Sequence, residues 1–599
     1  MPKMPIAGDD ERMVLTAPPF LPWLPGFAEK FIPLEQAREL YERVRSARQG
    51  FRLEALLSEM KVKLEVQPAD IERIPITGPL VAVANHPFGV LDGAALTVLL
   101  SRVRSDVKVL TNSLLEGIPG LHEHCIFVDP FHTASSADRN VKPLKQALGW
   151  LRQGGALAVF PAGEVSHWNL REGQITDPAW NSVAVRLVRK TGASALPVYF
   201  CGRNSAAFQA LGLLDPRLRT LFLLQEFLQQ REKNVQIRIG KAIPWELIAS
   251  VDNDEEATEY LRLRTYLLSY RGKKPVSLPA KMRSALPRKA QEPIAAEVPA
   301  RFVINDIAAL PAERLLVENS EFSVYAARAA ELPHVLDELG RQREITFRIA
   351  GEGTGHSADL DRFDAYYWHL LLWNKEKQEL AGAYRAGNTD EIIRAHGIKG
   401  LYTNTLFRYD EQLFLKIGSA LELGRSFVRP EYQRQYAPLL LLWKGIARFV
   451  AAHPGTPVLF GAVSISKEYS SVSREMIVRY FQQREDSGEF ADLIQARTPF
   501  RAPRLRRWDC GAICSALRDL DELAEPISDV EEDGKGLPIL IKQYAKVGGR
   551  LVGFNLDRKF SDVVDGLVVV DLRQTDPSVL ERYMGKEGYA GFRRYHRLD

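Results

Sequence analysis

The chain has 599 residues, 46% hydrophobic and 26% charged, with a formal net charge of +4. That length exceeds what one hydrophobic core supports, so two or more domains are expected, and the ordinary composition excludes a disordered, collagen-like or disulfide-framed protein. The four cysteines (Cys125, Cys201, Cys510 and Cys514) form no double CxxC set, so no zinc site is expected and a reducing cytoplasm is.

No run of eighteen apolar residues is present, and no spanning helix is expected. The N-terminus lacks a signal-peptide core. The segment 14–32, VLTAPPFLPWLPGFAEKFI, is apolar and aromatic but broken by four prolines. It suits a membrane surface or a cover over the first core. Leu34 to Met60 reads as helical, and Val62–Val66 and Val81–Ala84 as strands. Ala94–Val103 reads as a nearly all-apolar helix, followed by strands at Val107–Asn112 and Ile126–Val128 and an amphipathic helix at Val141–Arg152. Ala156–Phe160 is a strand leading into PAGEVS, Val183–Thr191 a helix, and Ala195–Phe200 a strand. Alternating strands and helices predict an α/β domain with a largely parallel sheet.

From Arg271 to Ala300 the chain carries five prolines and clustered Lys and Arg without apolar period. It reads as a linker. The expected division is a first domain over 1–275, a linker over 276–301 and a second domain over 302–599. In the second, Val324–Ile345 is expected helical. Tyr366–Leu371, Glu379–Arg385, Thr403–Phe407, Ala420–Val428 and Val458–Ser464 are expected strands. Asp390–Ala395 and Pro438–Ala452 are expected helices, and Ile539–Leu572 a helix with further strands.

Two stretches carry chemistry. VAVANHPFGVLDGAAL, Val81 to Leu96, places His86 and Asp92 at a strand–turn–helix junction. A hydroxyl is a weak nucleophile at neutral pH. A histidine oriented by a carboxylate is the usual base for it, and His86 and Asp92 fit those roles. Asp92 as helix cap and His86 as a turn residue is the competing structural reading. The second stretch is ALELGRSFVRPEYQRQY, Ala420 to Tyr436. A strand, an arginine-containing turn and a helix start form a ready anion site.

The blocks NHPFGVLDG, CIFVDPF, FPAGEVS and LPVYF occur in the order found in the glycerolipid acyltransferases of the lysophosphatidate type, and the first 270 residues resemble that family. NHPFGVLDG with ITDPAW and GRNS is most similar to its branch that acylates lyso-ornithine lipid. The resemblance implies His86 as base with Asp92 orienting it. It implies Asn85 and the Gly163–Glu164 block in acceptor binding, Gly163 for close backbone approach and Glu164 for an acceptor amine. The spacing departs from the family. Five residues separate His86 from Asp92 where four are usual, and Glu-Gly becomes Ala162-Gly163-Glu164.

The second half resembles the GNAT N-acyltransferases, most closely the ornithine N-acyltransferases and more distantly the acyl-homoserine-lactone synthases. Arg343 with Phe347, Asp361 with Asp364, Tyr367 and His369, Arg385, and Glu422 with Arg425 carry it as a set. It implies Glu422 as base toward an amine, with Asp361 or Asp364 as competitors. It implies Arg343, Arg385 and Arg425 in substrate binding, the last two for an α-carboxylate, and Arg434 for a carrier phosphate. The usual glycine-rich phosphate loop is replaced by QRQYAP. The implied donor is an acyl thioester on acyl carrier protein, with no bound cofactor or metal. Together the two resemblances imply N-acylation of ornithine or another amino acid, then O-acylation of the lyso-lipid. The expected location is the cytoplasmic face of the inner membrane, peripherally attached, without nucleic-acid partners. A lysophosphatidate-type enzyme fused to an unrelated acetyltransferase, and a non-catalytic membrane-associating protein, are the alternatives.

Overall fold

The central strands of the first half are apolar throughout, which is what burial on both faces of a parallel sheet requires. The computed structural model describes residues 33–47, 52–118, 120–129, 134–169, 173–209, 216–272, 291–484, 490, 492–501, 517–558, 560 and 562–598. The segment 14–32, Cys510, Cys514 and residues 276–290 of the expected linker lie outside them. Residues 291–299 are neither helix nor strand, and a helix begins at Ala300.

The chain divides into two units, each with its own sheet. In the first unit the strands are β1 (Lys63–Glu65), β2 (Leu80–Ala84), β3 (Val107–Asn112), β4 (Cys125–Val128), β5 (Ala156–Val159), the small hairpin β6 (His167–Asn169) and β7 (Gln174–Thr176), β8 (Ser194–Cys201) and β9 (Asn234–Ile239). The sheet order is β1-β9-β8-β2-β5-β3-β4, parallel except where β8 meets β9. Every residue of β2 and β5 is buried. Helix Val90–Ser101 is equally apolar, and its Leu91, Ala95, Leu96 and Leu99 join the core beside β2. Because β5 and β8 flank β2 in parallel, three loops leave the same edge of the sheet: Asn85–Gly89, Phe160–Ser166 and Gly202–Ser205. That carboxyl edge is where open α/β sheets bind ligands.

Ser528–Gly534, far along the sequence, also belongs to the first unit. Asp529 is fully buried there. Its carboxylate pairs with Arg264 at 2.8 Å and Arg73 at 3.1 Å and accepts the Lys241 N–H at 2.8 Å. Its carbonyl accepts Arg271 Nε at 2.6 Å.

The second unit holds β10 (Leu315–Glu318), β11 (Phe322–Arg328), β12 (Trp368–Asn374), β13 (Glu379–Asn388), β14 (Phe407–Tyr409), β15 (Ala420–Val428), β16 (Val458–Ile465), β17 (Ile494–Ala496), β18 (Arg550–Asp557) and β19 (Val563–Asp571). Its main sheet runs β10-β11-β12-β13-β15-β16-β19-β18, antiparallel except for the parallel pair β15 and β16. Two expectations are corrected. Val324–Ile345 is not one helix. It is the end of β11, a 3-10 turn and the greater part of helix Val335–Ile349. Thr403–Phe407 is not a strand. A 3-10 turn at Tyr402–Thr405 precedes β14, because Thr403 and Tyr402 give their N–H groups to Glu422 instead of to a neighbouring strand.

Candidate active sites

In the first unit, β2 delivers Asn85 and His86 to the carboxyl edge. The Asn85 amide is wholly used by the neighbouring strand: Nδ2 donates to the Phe200 carbonyl at 3.0 Å and Oδ1 accepts the Phe200 N–H at 2.7 Å. Asn85 therefore fixes the His86 loop against β8, a positioning role distinct from the acceptor contact the resemblance implied. The turn closes through Gly89, at φ +71°, into helix Val90–Ser101. That puts Asp92 in its first turn, fully buried. Asp92 Oδ2 accepts the Phe88 N–H at 2.8 Å and stands 3.0 Å from His86 Nδ1. The contact lies off the line of an ideal hydrogen bond, and Nδ1 has no other partner. The extra residue between the two is taken up by the turn, and the side chains still meet. Burial raises the Asp92 carboxyl above its usual range and nearby Asp177 adds to this, while the His86 contact and the Phe88 N–H oppose it. The His86 ring lies 4.4 Å from Phe160 and is partly open to solvent. With Nδ1 toward the carboxylate, Nε2 is the nitrogen left for a hydroxyl.

Asp177, from the ITDPAW block, had no role in the sequence reading, yet it anchors this site. Its carboxylate accepts Ser166 Oγ at 2.5 Å, Trp180 Nε1 at 2.9 Å and the His86 N–H at 3.2 Å. The His86 carbonyl in turn accepts the Ser166 N–H at 2.8 Å. The histidine backbone is thus held from both sides. An aspartate in a loop has no periodicity to betray it, and only its place inside a quoted block hinted at use. Gly163 sits at φ +68° with open space beside it, and Glu164 is exposed on the same turn. On the β8 loop, Gly202 at φ +143° admits no side chain, since a Cβ would stand 2.3 Å from Phe88 Cζ. Asn204, two residues on, is buried with both amide atoms unpartnered.

In the second unit the proposed residues gather on one network. Arg343 forms a bidentate pair with Asp364 at 2.9 Å and meets Asp359 at 3.1 Å. Arg385 reaches Asp361 at 2.6 Å and Asp364 at 3.1 Å, and its Nη2 is buried without a partner. Arg425 reaches Asp359 at 3.3 Å, and its Nε is likewise unpartnered. The two guanidinium groups lie 5.1 and 5.0 Å from the Tyr402 ring. Burial alone would raise the Asp364 carboxyl, but the Arg385 and Arg343 charges outweigh it and hold it far below the usual range. His369 Nε2–H donates to the Asp364 carbonyl at 2.9 Å, and burial pushes its imidazole down to about 4. Glu422 is buried, with its carboxyl raised by that burial. Its oxygens accept the Tyr367 hydroxyl, the Tyr402 N–H at 3.2 Å and the Thr403 N–H at 2.6 Å. It braces the Tyr402 turn against β15. Arg434 is exposed beside the start of helix Tyr436–Ala452. Asp359 was not foreseen. It lies in a loop, and its carbonyl and carboxylate both serve Arg343.

The parallel pairing of β15 and β16 ends at Leu423 opposite Gly461, although both strands continue. Arg425 takes φ +50° there, and two residues of β15 oppose one of β13. This bulge turns β15 away from β16. Among the described residues no cluster of His, Cys, Asp and Glu is arranged to hold a metal ion.

Residues 54–272 match the family model "Acyltransferase", and residues 342–444 match "Acetyltransferase (GNAT) domain". The chain is 30% identical over 271 residues to a glycine N(alpha)-acyltransferase of Phocaeicola vulgatus, covering 43% of this chain and 81% of that one. It is 30% identical over 224 residues to a lyso-glycine lipid O-acyltransferase of the same organism, covering 36% and 77%. It is 31% identical over 155 residues to an L-ornithine N(alpha)-acyltransferase of Brucella abortus, covering 24% and 50%. The chain belongs to the family of aminolipid acyltransferases. It is a two-module enzyme of acyl transfer, with an O-acyltransferase and an N-acyltransferase in one polypeptide.

Proposed function

We propose that the GNAT module joins a 3-hydroxyacyl chain to the α-amine of an amino acid, and that the first module then esterifies the 3-hydroxyl with a second acyl chain. One observation carries the order. The chain resembles both an amino-acid N-acyltransferase and a lyso-lipid O-acyltransferase, and the product class of the first is the substrate class of the second. His86 Nε2 takes the hydroxyl proton as oxygen attacks the thioester carbonyl. Asp92 holds the ring and stabilises the imidazolium that forms. Asp177 and Asn85 fix the loop that carries it.

In the second module the unpartnered nitrogens of Arg385 and Arg425 suit the acceptor's α-carboxylate. Ornithine is the preferred amino acid and glycine the rival; both carry the carboxylate these arginines would read. The donor is an acyl thioester on acyl carrier protein. The exposed Arg434 beside a helix start suits its phosphate. The enzyme works at the cytoplasmic face of the inner membrane as a peripheral protein. The lipid product requires access to a bilayer, and no helix among the described residues is long and apolar enough to cross one.

Lipid extracts of a host that lacks aminolipids test this directly. Expression of the chain is expected to yield a ninhydrin-positive, phosphorus-free lipid, and His86→Ala to leave only the monoacylated form. General-base loss costs about 10²–10⁴-fold. A His86→Ala strain with normal diacylated lipid would remove His86 from the mechanism. A host that gains no new lipid would defeat the function as a whole.

A further inference from the structure

Past Leu423 and Gly461, β16 keeps only β19 as its partner. Ser464 lies directly opposite Asp565. Side chains alternate along strands. Phe460 on β16 and Leu567 on β19 belong to the same core cluster, so Ser464 and Asp565 share that face of the sheet. Glu422, two residues from Ala420 of that cluster, stands on it too. A carboxylate is therefore set beside the parting of β15 and β16.

Its surroundings are unlike those of Asp364 and Glu422. Asp565 is 3% exposed, and its Oδ1 accepts Ser464 Oγ at 2.8 Å. Asp364 has two arginines and Glu422 has three donors. Asp565 has that one hydroxyl, and among the described residues no basic nitrogen lies within ion-pair distance. A buried carboxylate so poorly served costs stability, and β19, which reads VVDGLVVVD, would be more stable with an apolar residue there. An independent sign of a ligand lies one step away: Arg425, whose charge acts on Asp565, also faces Arg385, and the buried Arg385 Nη2 has no partner.

We propose that Asp565 receives the α-ammonium of the amino-acid acceptor at the parting of β15 and β16 and removes its proton. This rests on reading the second module as an amino-acid N-acyltransferase. One ammonium proton passes to the Asp565 carboxylate and from there to water. The nitrogen lone pair attacks the thioester carbonyl, the C–N bond forms and the C–S bond breaks. A second nitrogen proton goes to the departing thiolate, leaving amide and thiol. The groups around Asp565 tune it. Burial, Asp557 on β18 and Glu352 after helix Val335–Ile349 raise its carboxyl, while Ser464 and Arg425 on β15 lower it, and it rests at about 7. Tyr402 faces the same charge. A base near the operating pH is the effective kind. Glu422, already enclosed by donors, is left as the brace of the Tyr402 turn.

The test uses the full-length chain, a 3-hydroxyacyl thioester and ornithine or glycine, with N-acylation followed across pH. Urea unfolding of each variant reports folding of the second unit, and O-acylation of supplied lyso-lipid in the same sample reports the first. Asp565→Asn is expected to lower kcat for N-acylation by about 10²–10⁴-fold, with O-acylation retained. Its residual rate should keep climbing with pH, where the wild-type rate levels off. Asp557→Asn on β18 removes a like charge and should move the acid limb to lower pH. An Asp565→Asn enzyme within about threefold of wild type, with the same limb, overturns the proposal. Should that variant fail to fold, an Asp557→Asn limb that stays in place overturns it instead. A wild-type chain that acylates no amino acid defeats the parent reading, and this proposal with it.

Discussion

Asp92→Asn separates the charge of the first site from its shape. Only Oδ2 is engaged, by the Phe88 N–H and by His86 Nδ1, while Oδ1 has no partner. An asparagine can set its oxygen at the Oδ2 position and its NH2 at the Oδ1 position, so the turn survives. What disappears is the negative charge beside the imidazolium that forms in the transition state. With Nδ1 and Oδ2 at 3.0 Å, the charge centres lie about 4 Å apart, and at an effective dielectric of about 20 their attraction is ~4 kcal/mol. That corresponds to about three decades in rate. The assay is ester formation from purified lyso-lipid and acyl thioester, with N-acylation in the same preparation as internal standard. The expected result is kcat lowered about 10³-fold and KM for lyso-lipid little changed. Ester formation within tenfold of wild type would show that the carboxylate charge is not used, and the dyad would reduce to His86 alone.

Gly202→Ala forces a left-handed residue against Phe88 and should disturb the His86 loop. We expect a loss of about 1–3 kcal/mol and of most O-acylation, read by thermal unfolding and the ester assay. Asp364→Asn leaves Arg343 and Arg385 buried without their shared carboxylate, at a cost of about 3–5 kcal/mol near pH 7 in urea unfolding. Because that carboxyl is depressed in the folded protein, its contribution is present above the ordinary carboxylate range and lost as pH falls toward the folded value. The gap between wild type and variant should narrow on acidification. His369 is a base whose folded pKa is lowered from 6.5 to about 4, so the unfolded chain binds the proton first and stability falls as pH drops through that window. His369→Gln should remove that slope, measured by urea titrations at several pH values. Arg385→Lys replaces a planar fork with a point charge and should raise KM for the amino acid about tenfold or more, with the thioester KM unmoved.

The α/β half was legible because its buried strands are short apolar runs separated by turn residues, as in LVAVA and ALAV. The misread stretch at β11, FSVYAAR, is buried along most of its length. It offers no alternation, and a helix follows closely behind it. His86 and Asp92 could be read because a turn brings them together locally. Asp177 and Asp359 could not, because each acquires its meaning from a partner in another element: His86 and Arg343. Glu422 shows the converse. It was conspicuous in its motif, but only the structure reveals the donors that enclose it. An aspartate inside VVDGLVVVD was the overlooked signal, since a strand buried along its length has no structural use for one.

Arg264 and Asp529 are 265 positions apart in the chain, yet they close one buried ion pair within the first unit. A ribosome delivers the Arg264 side long before its counter-charge, and domains begin to fold as they emerge. That pair can close only after translation has passed Gly534. By then the GNAT module's strands through β17 have been made, and β18 and β19, which bear Asp557 and Asp565, follow within about forty residues. A gene cut between the modules leaves the first half without Asp529, and Arg264 and Arg73 without the carboxylate they share.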